Sequence, residues 1–215
     1  KLGSRSLPSS EVEFRGARAR LVGEEGRGVA TIIQMVNHTR LDCMIGSAAS
    51  MRRGVLEATH HARGRSAFGS LLVDQPAMKN VLADLAIESE AATAALFRIA
   101  RAFDEGDEPL RRFGTAVMKY WICKRTPAHA YEAMECIGGS GVMEDSMMPR
   151  LFRESPVNAI WEGSGNVQCL DVLRAIEKSP EVLDAAFDEL AKAQGVNCLL
   201  DQRVIALKTS LTDRH

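Results

Sequence analysis

Aromatic residues are scarce in this chain: two Trp, two Tyr and seven Phe among 215 residues. A sheet held by aromatic cross-strand pairs is therefore disfavoured, and the abundance of Ala, Leu, Met and Arg favours helix. The five cysteines, Cys43, Cys123, Cys136, Cys169 and Cys198, are widely scattered and contain no CxxC pair. An odd, dispersed set reads as free thiols in a reducing compartment, so a cytoplasmic location is expected. His60-His61 is the sole histidine cluster and has no Cys or carboxylate at ligand spacing, so no metal site is expected. A formal net charge of −1 supplies no global field for nucleic acid or an anionic membrane. No apolar run approaches the roughly 20 residues that a membrane span requires, and no charged-then-apolar leader opens the sequence.

What is present is ordinary for a globular protein: 46% hydrophobic and 26% charged residues. Residues 1–27 read as an extended segment in which Glu11-Val12-Glu13-Phe14 alternates as a short strand would. A lone strand lacks a sheet, which predicts that its partners lie upstream. After Gly26 and Gly28 a long helix is expected, with Ile33, Val36, Met44, Ala48, Met51, Val55 and Ala58 on one face. A second opens at Gln75-Pro76 and carries Met78, Leu82, Leu85, Ser89, Ala92, Leu96, Ile99 and Phe103 at bundle spacing. A third runs from about 110 to 137 with Phe113, Val117, Tyr120, Tyr131 and Met134 near one stripe, bent at Pro127. An irregular stretch is expected over 142–158, then helices over about 164–178, 180–194 and 199–209. The fold class is mainly α: an antiparallel helical bundle over 28–178, preceded by a β remnant and linker over 1–27 and followed by further helical segments over 179–215.

Glu162 stands out chemically. It sits between Trp161 and the Gly163-Ser164-Gly165 turn, with apolar residues upstream. Apolar surroundings disfavour the charged form of a carboxyl group, and a carboxylate so poised can take a weakly acidic proton from carbon. A solvated loop residue is the alternative. Arg40 falls on the apolar stripe of the first helix, where a charge is costly unless paired. It reads either as half of an internal ion pair, with Asp42 or a distant Glu, or as a clamp for an anionic ligand. Arg65 and Phe68 occupy a loop between long helices, where a guanidinium can hold phosphate and an aromatic can pack on a ring. Gly138-Gly139-Ser140-Gly141 offers open backbone amides to a phosphate or simply ends a helix. Ser164 and Asn166 could cap the next helix or face a polar ligand.

In this order, four motifs resemble the acyl-CoA dehydrogenase family over residues 1 to about 178. They are Lys1-Leu2-Gly3-x-Arg5 with Glu11-Val12-x-Phe14, Gly23-Glu24-Glu25-Gly26-x-Gly28, Arg65-x-x-Phe68-Gly69 with Gln75, and Gly138-Gly139-x-Gly141 with Arg153-Glu154 and Trp161-Glu162-Gly163. The run from Arg153 to Arg174 is closest to the AidB-type, adaptive-response branch. The resemblance implies the family's carboxyl-terminal domain and an FAD enzyme that oxidises an acyl-CoA thioester between its α and β carbons. Glu162 then matches the base that removes the α-proton, with the thioester carbonyl held by a backbone amide and the flavin ribityl chain. Arg40, Trp161 and Gly163 match substrate-side positions. Arg65, Phe68, Gln75, Gly138 and Gly139 match residues that reach the FAD of a neighbouring subunit. Ser164 and Asn166 match residues near the flavin of the bound subunit. The implied partners are an acyl-CoA substrate, copies of the same chain as a dimer of dimers (a homotetramer), and an electron-transfer flavoprotein.

Three departures from the family pattern bear on activity. Glu135 stands where an amide usually bonds the FAD, and a carboxylate there repels a pyrophosphate unless displaced. Trp161 replaces a Tyr and narrows the acyl pocket, which points to a short or branched chain. Ser164 and Asn166 are shorter than their counterparts. The AidB-type branch implies an alternative: a flavin-containing, DNA-associated protein of the alkylation response with vestigial dehydrogenation. Arg52-Arg53, Arg63/Arg65, Arg111-Arg112 and Lys124-Arg125 are the basic stretches such a reading would use.

Overall fold

A computed structural model describes residues 1–192, of which the helices dominate. Helix α1 spans Gly28–Gly64, α2 Pro76–Glu105 and α3 Glu108–Ile137. Shorter helices follow: α4 Met148–Glu154, α5 Gly165–Lys178 and α6 Glu181–Lys192. The only sheet among the described residues is a two-residue hairpin, β1 Ser66–Ala67 antiparallel to β2 Ser70–Leu71. The segment expected over 199–209 lies outside the described residues.

The long helices meet in two apolar clusters. One joins Met44, Ala48 and Met51 of α1 to Ala92, Leu96 and Ile99 of α2 and Ile122 of α3. The other joins Val55, Ala58 and Ala62 to Leu82, Leu85, Ala133, Met134, Cys136 and Met148 of α4. Each fully buried Met or Leu here contributes about 1.5–3 kcal/mol. The stripes expected on α1 and α2 are the buried ones, with Ile33 exposed and Val36, Met78 and Phe103 half-buried at the ends.

Helix α3 corrects the expectation. Its buried face is Ala116, Lys119, Ile122, Cys123, Thr126, His129, Ala130, Ala133 and Met134; of the expected stripe Met134 is buried, Phe113 and Val117 are half-buried, and Tyr120 and Tyr131 are exposed. Small and polar residues form this face because α1 approaches closely: a Cβ on Gly54 would lie 3.2 Å from the Ala133 Cβ. The polar groups find partners inside, as where Thr126 Oγ1 donates to the Ile122 carbonyl at 2.8 Å. Helix α3 continues through Pro127. Its start is capped by Asp107, whose carboxylate accepts from the Leu110 amide at 3.1 Å. Gly106, at φ +71°, closes α2 just before it.

Two further expectations change. The stretch 142–158 contains α4, which begins at Met148-Pro149 with proline in its first turn. Residues 11–14 form no strand; a strand needs a neighbouring ladder, and the hairpin is the only pairing among the described residues. The segment 1–27 is mostly exposed, with one firm attachment. The Glu154 carboxylate, at the end of α4, accepts from the Ser4 amide at 2.7 Å and the Ser4 hydroxyl at 2.9 Å. Helix α6 buries Val182 and Phe187 and is joined to α2 by an Arg98–Glu189 ion pair at 2.6 Å. No helix among the described residues is long and apolar enough to cross a membrane.

Candidate active site

Glu162 lies in the turn between a short 3-10 helix, Val157–Ala159, and α5. It is half-buried and adopts φ +57°, a left-handed conformation that costs a non-glycine residue about 1–2 kcal/mol. Gly163 follows at φ +100°. Such a backbone persists only where its surroundings determine it, and here they do. Lys119 Nζ donates to the Trp161 and Gly163 carbonyls, both at 2.7 Å. Arg40 Nε donates to the Glu162 carbonyl at 3.0 Å. Gln168 Nε2 donates to the Glu162 and Gly163 carbonyls at 3.2 and 3.0 Å. All three successive carbonyls thus point at donors from α1, α3 and α5.

Arg40 is buried and completes its pairing with Asp171 of α5, at 2.7 Å. The internal ion pair foreseen for it exists, but with Asp171 rather than Asp42. Lys119 was not legible as a functional residue. A lysine amid Met118, Tyr120 and Trp121 reads as a solvated charge, yet it is only 1% exposed. The signal that could have found it is its place in the small-residue row 116, 119, 122, 126, 130, 133. Burial lowers its pKa from the ordinary lysine value, opposed by the neighbouring Cys123, Cys43 and Glu162.

A polar chain supports the turn from below. The Trp161 indole donates to Asn158 Oδ1 at 3.0 Å, and Asn158 Nδ2 donates to the Ser47 hydroxyl at 3.1 Å. Ser47 donates to Cys123 Sγ at 3.4 Å. Burial pushes the Cys123 thiol up to about 11 and raises Cys43 as well, so both are neutral at pH 7. Ser164 takes the N-cap position of α5 without a side-chain capping bond, and both it and Asn166 are exposed beside Glu162.

The remaining predicted residues gather at the opposite end of the bundle. Arg65, Gly138 and Gly139 line one pocket of about 720 Å3, together with His61, Met78 and Glu135. Along α1, Arg40 and Arg65 are 25 residues apart, about 37 Å at helical rise. A Cβ on either Gly138 or Gly139 would meet nothing within 4 Å. The Glu135 carboxylate bonds to the Tyr131 hydroxyl and holds the phenol above its ordinary range. Phe68 stands at the hairpin tip, 99% exposed at φ +52°. Gln75 braces that hairpin: its Nε2 donates to the Ala67 carbonyl at 3.1 Å and to the Ser70 hydroxyl at 3.0 Å.

Comparison with known proteins identifies the family of the helical domain. The family model for the acyl-CoA dehydrogenase C-terminal domain matches residues 26–177. AidB of Escherichia coli (strain K12), which carries an acyl-CoA dehydrogenase name, is 46% identical over 98% of this chain and 40% of its own length. A structure described as the apo form of Bd2924 superposes with TM-score 0.88 at 32% identity, covering 99% of this chain and 43% of that one. Caenorhabditis elegans ACDH-11, solved in complex with C11-CoA, superposes with TM-score 0.73 at 34% identity, over 78% of this chain and 30% of that one. The chain spans less than half the length of these relatives. It belongs to the acyl-CoA dehydrogenase family and carries that family's carboxyl-terminal helical domain.

Proposed function

We propose that this chain supplies the base-bearing carboxyl-terminal domain of an FAD-dependent acyl-CoA dehydrogenase acting on a short or branched acyl-CoA thioester. The observation that carries the reading is Glu162, a half-buried carboxylate on a left-handed turn whose three carbonyls are all held from within. A proton α to a thioester carbonyl is weakly acidic, and Glu162 takes it onto a carboxylate oxygen. Holding the carboxylate on a fixed turn confines it near the attack geometry, which lowers the entropic part of the barrier. Trp161, anchored through Asn158, walls the acyl side and disfavours long straight chains. The C11-CoA bound to ACDH-11 supports the CoA-thioester class.

The residues at the far end fit a dinucleotide. Arg65 provides a cation, and Gly138 and Gly139 provide backbone without side-chain obstruction, while Glu135 lines the same pocket and interacts with Tyr131. In this reading Arg65, Phe68, Gln75, Gly138 and Gly139 hold the adenine and pyrophosphate half, while Ser164 and Asn166 face the flavin half. Bound FAD would supply the acceptor for the two electrons and the second hydrogen. A separation of about 37 Å along α1 keeps the two sets from serving one cofactor within a single chain. Copies of the chain would therefore share each FAD, consistent with a dimer of dimers.

The DNA-associated alternative rests on the likeness to AidB. The basic stretches favour it little: Arg53 pairs with Glu57, Arg111 with Glu108 and Arg125 with Glu88. Anaerobic bleaching of the flavin in the full-length protein by a panel of acyl-CoAs separates the two. Rapid bleaching by one chain class, slowed about 10²–10⁴-fold in Glu162→Gln, is expected for a general base. A flavin that no acyl-CoA reduces sinks the dehydrogenase reading, and salt-sensitive DNA affinity would then favour the other.

A further inference from the structure

We propose that Lys119 is a positioning residue for the base: its buried ammonium, bridging the Trp161 and Gly163 carbonyls, sets the direction of the Glu162 amide and side chain. This rests on the reading of Glu162 as the base. A trans peptide is planar, with its carbonyl and N–H pointing opposite ways. Anchoring the Trp161 carbonyl on Lys119 therefore directs the Glu162 N–H away from the lysine. Anchoring the Gly163 carbonyl on the same nitrogen fixes the far side of the turn. Glu162 is clasped between two points held by one atom, with Arg40 and Gln168 bracing the carbonyl in between.

Packing alone does not account for a lysine here. Lys119 is almost wholly buried and forms no salt bridge among the described residues. An unpaired buried cation is expensive, and an apolar side chain of similar length often serves stability as well or better. Asp171 neutralises Arg40 but not Lys119. What the ammonium contributes, and a methionine could not, is several strong donors on one small centre. Charge-assisted hydrogen bonds are about twice as strong as neutral ones. Two of them at 2.7 Å outweigh the preference of Glu162 for a right-handed backbone.

The test uses the full-length protein with Lys119→Met, Lys119→Arg and Glu162→Gln. Three quantities are read: the saturating rate of flavin reduction by acyl-CoA, the half-saturating concentration, and amide hydrogen exchange over residues 157–168. Lys119→Met is expected to lower the saturating rate about 100-fold, the scale of an ångström-sized misplacement. Half-saturation should stay within about threefold, because the lysine makes no ligand contact in this reading. Exchange should accelerate about tenfold across the turn and little elsewhere, and Lys119→Arg should recover most of the rate. An unchanged rate and unchanged local exchange in Lys119→Met would overturn the proposal. So would faster exchange throughout the bundle, which marks a merely structural lysine. If Lys119→Met does not fold, Gln168→Met removes two uncharged donors from the same turn, and the same readouts decide. A fully active Glu162→Gln would instead remove the base reading, leaving local exchange to judge the clamp by itself.

Discussion

The two ends of the bundle use the same kinds of residue in opposite ways. Around Glu162, Arg40 is buried against Asp171, Gln168 donates to two carbonyls of the turn, and Gly163 is crowded. At the far end Arg65 is exposed, Gln75 braces a hairpin whose tip is bare, and Gly138 and Gly139 face open space. At one end the donors of Arg40, Lys119 and Gln168 are spent on the turn itself; at the other the guanidinium of Arg65 and the two glycines stay open. The difference teaches how each is completed. In the proposed reading, the base is fixed by its own chain before the substrate comes, and the far end keeps Arg65 and its glycines open for a cofactor.

The contrast makes graded predictions. The largest effect on stability should come from Asp171→Asn, which strips Arg40 of its neutralising partner. A loss of about 2–3 kcal/mol is expected, below the 3–5 of a fully buried pair because Asp171 is partly exposed. Denaturant unfolding checks it, and a loss under about 0.5 kcal/mol would place the pair with surface ion pairs. Next come paired glycine variants. Gly163→Ala should cost about 1–3 kcal/mol, since its backbone is left-handed and its Cβ would lie 2.9 Å from both Gln168 Nε2 and Val167 Cγ1. Gly139→Ala should be neutral within about 0.5 kcal/mol. Equal costs at the two glycines would erase the distinction between crowded and open ends.

A smaller effect belongs to the middle of the bundle. His129 Nε2 donates to the Leu85 carbonyl at 3.0 Å, and burial holds its pKa below the ordinary histidine range, with the Leu85 bond opposing. The unfolded chain therefore binds more protons just below pH about 6.5. Stability is fully present above that pH and is lost as pH falls toward the folded value. Unfolding at pH 7.5 and 5.5 should show this slope, and His129→Gln should flatten it; a slope that survives the substitution assigns it to other groups. The smallest effect is expected from Phe68→Ser. A ring so exposed should change stability by less than about 0.5 kcal/mol, while flavin retention in the full-length protein falls. Retention equal to wild type would take Phe68 out of the cofactor surface.

The sequence made the ordinary parts of this fold readable. The α1 and α2 faces follow from 3.6-residue periodicity of large apolar side chains, and Pro76, Gly106 and Gly138 mark real helix boundaries. Helix α3 resisted that reading because its inner face, apart from Ile122 and Met134, is mostly Ala, Thr, Cys, His and Lys, which give a weak hydrophobic period. Lys119 was hidden for the same reason. Glu162 and Arg40 were visible as oddities, a carboxylate in an apolar setting and a charge on an apolar stripe. Their connection was not, since it runs through a backbone carbonyl 122 positions away in the chain. Nor could spacing show that Glu162 rather than its neighbour alone would turn left-handed, because that depends on the donors beneath it.

The attachment of Ser4 to Glu154 bears on where a separable unit of this protein begins. A cut made at residue 26, where the family match starts, would discard both donors to the Glu154 carboxylate. A Cβ at position 3 would lie 2.5 Å from the Arg153 carbonyl, so that strand of backbone is seated against the end of α4 rather than draped over it. Seven residues further on the chain reaches Trp161. For anyone trimming this protein to a minimal folding piece, the first five residues are part of the scaffold that leads through α4 to the Glu162 turn, whereas the stretch between them and α1 is exposed.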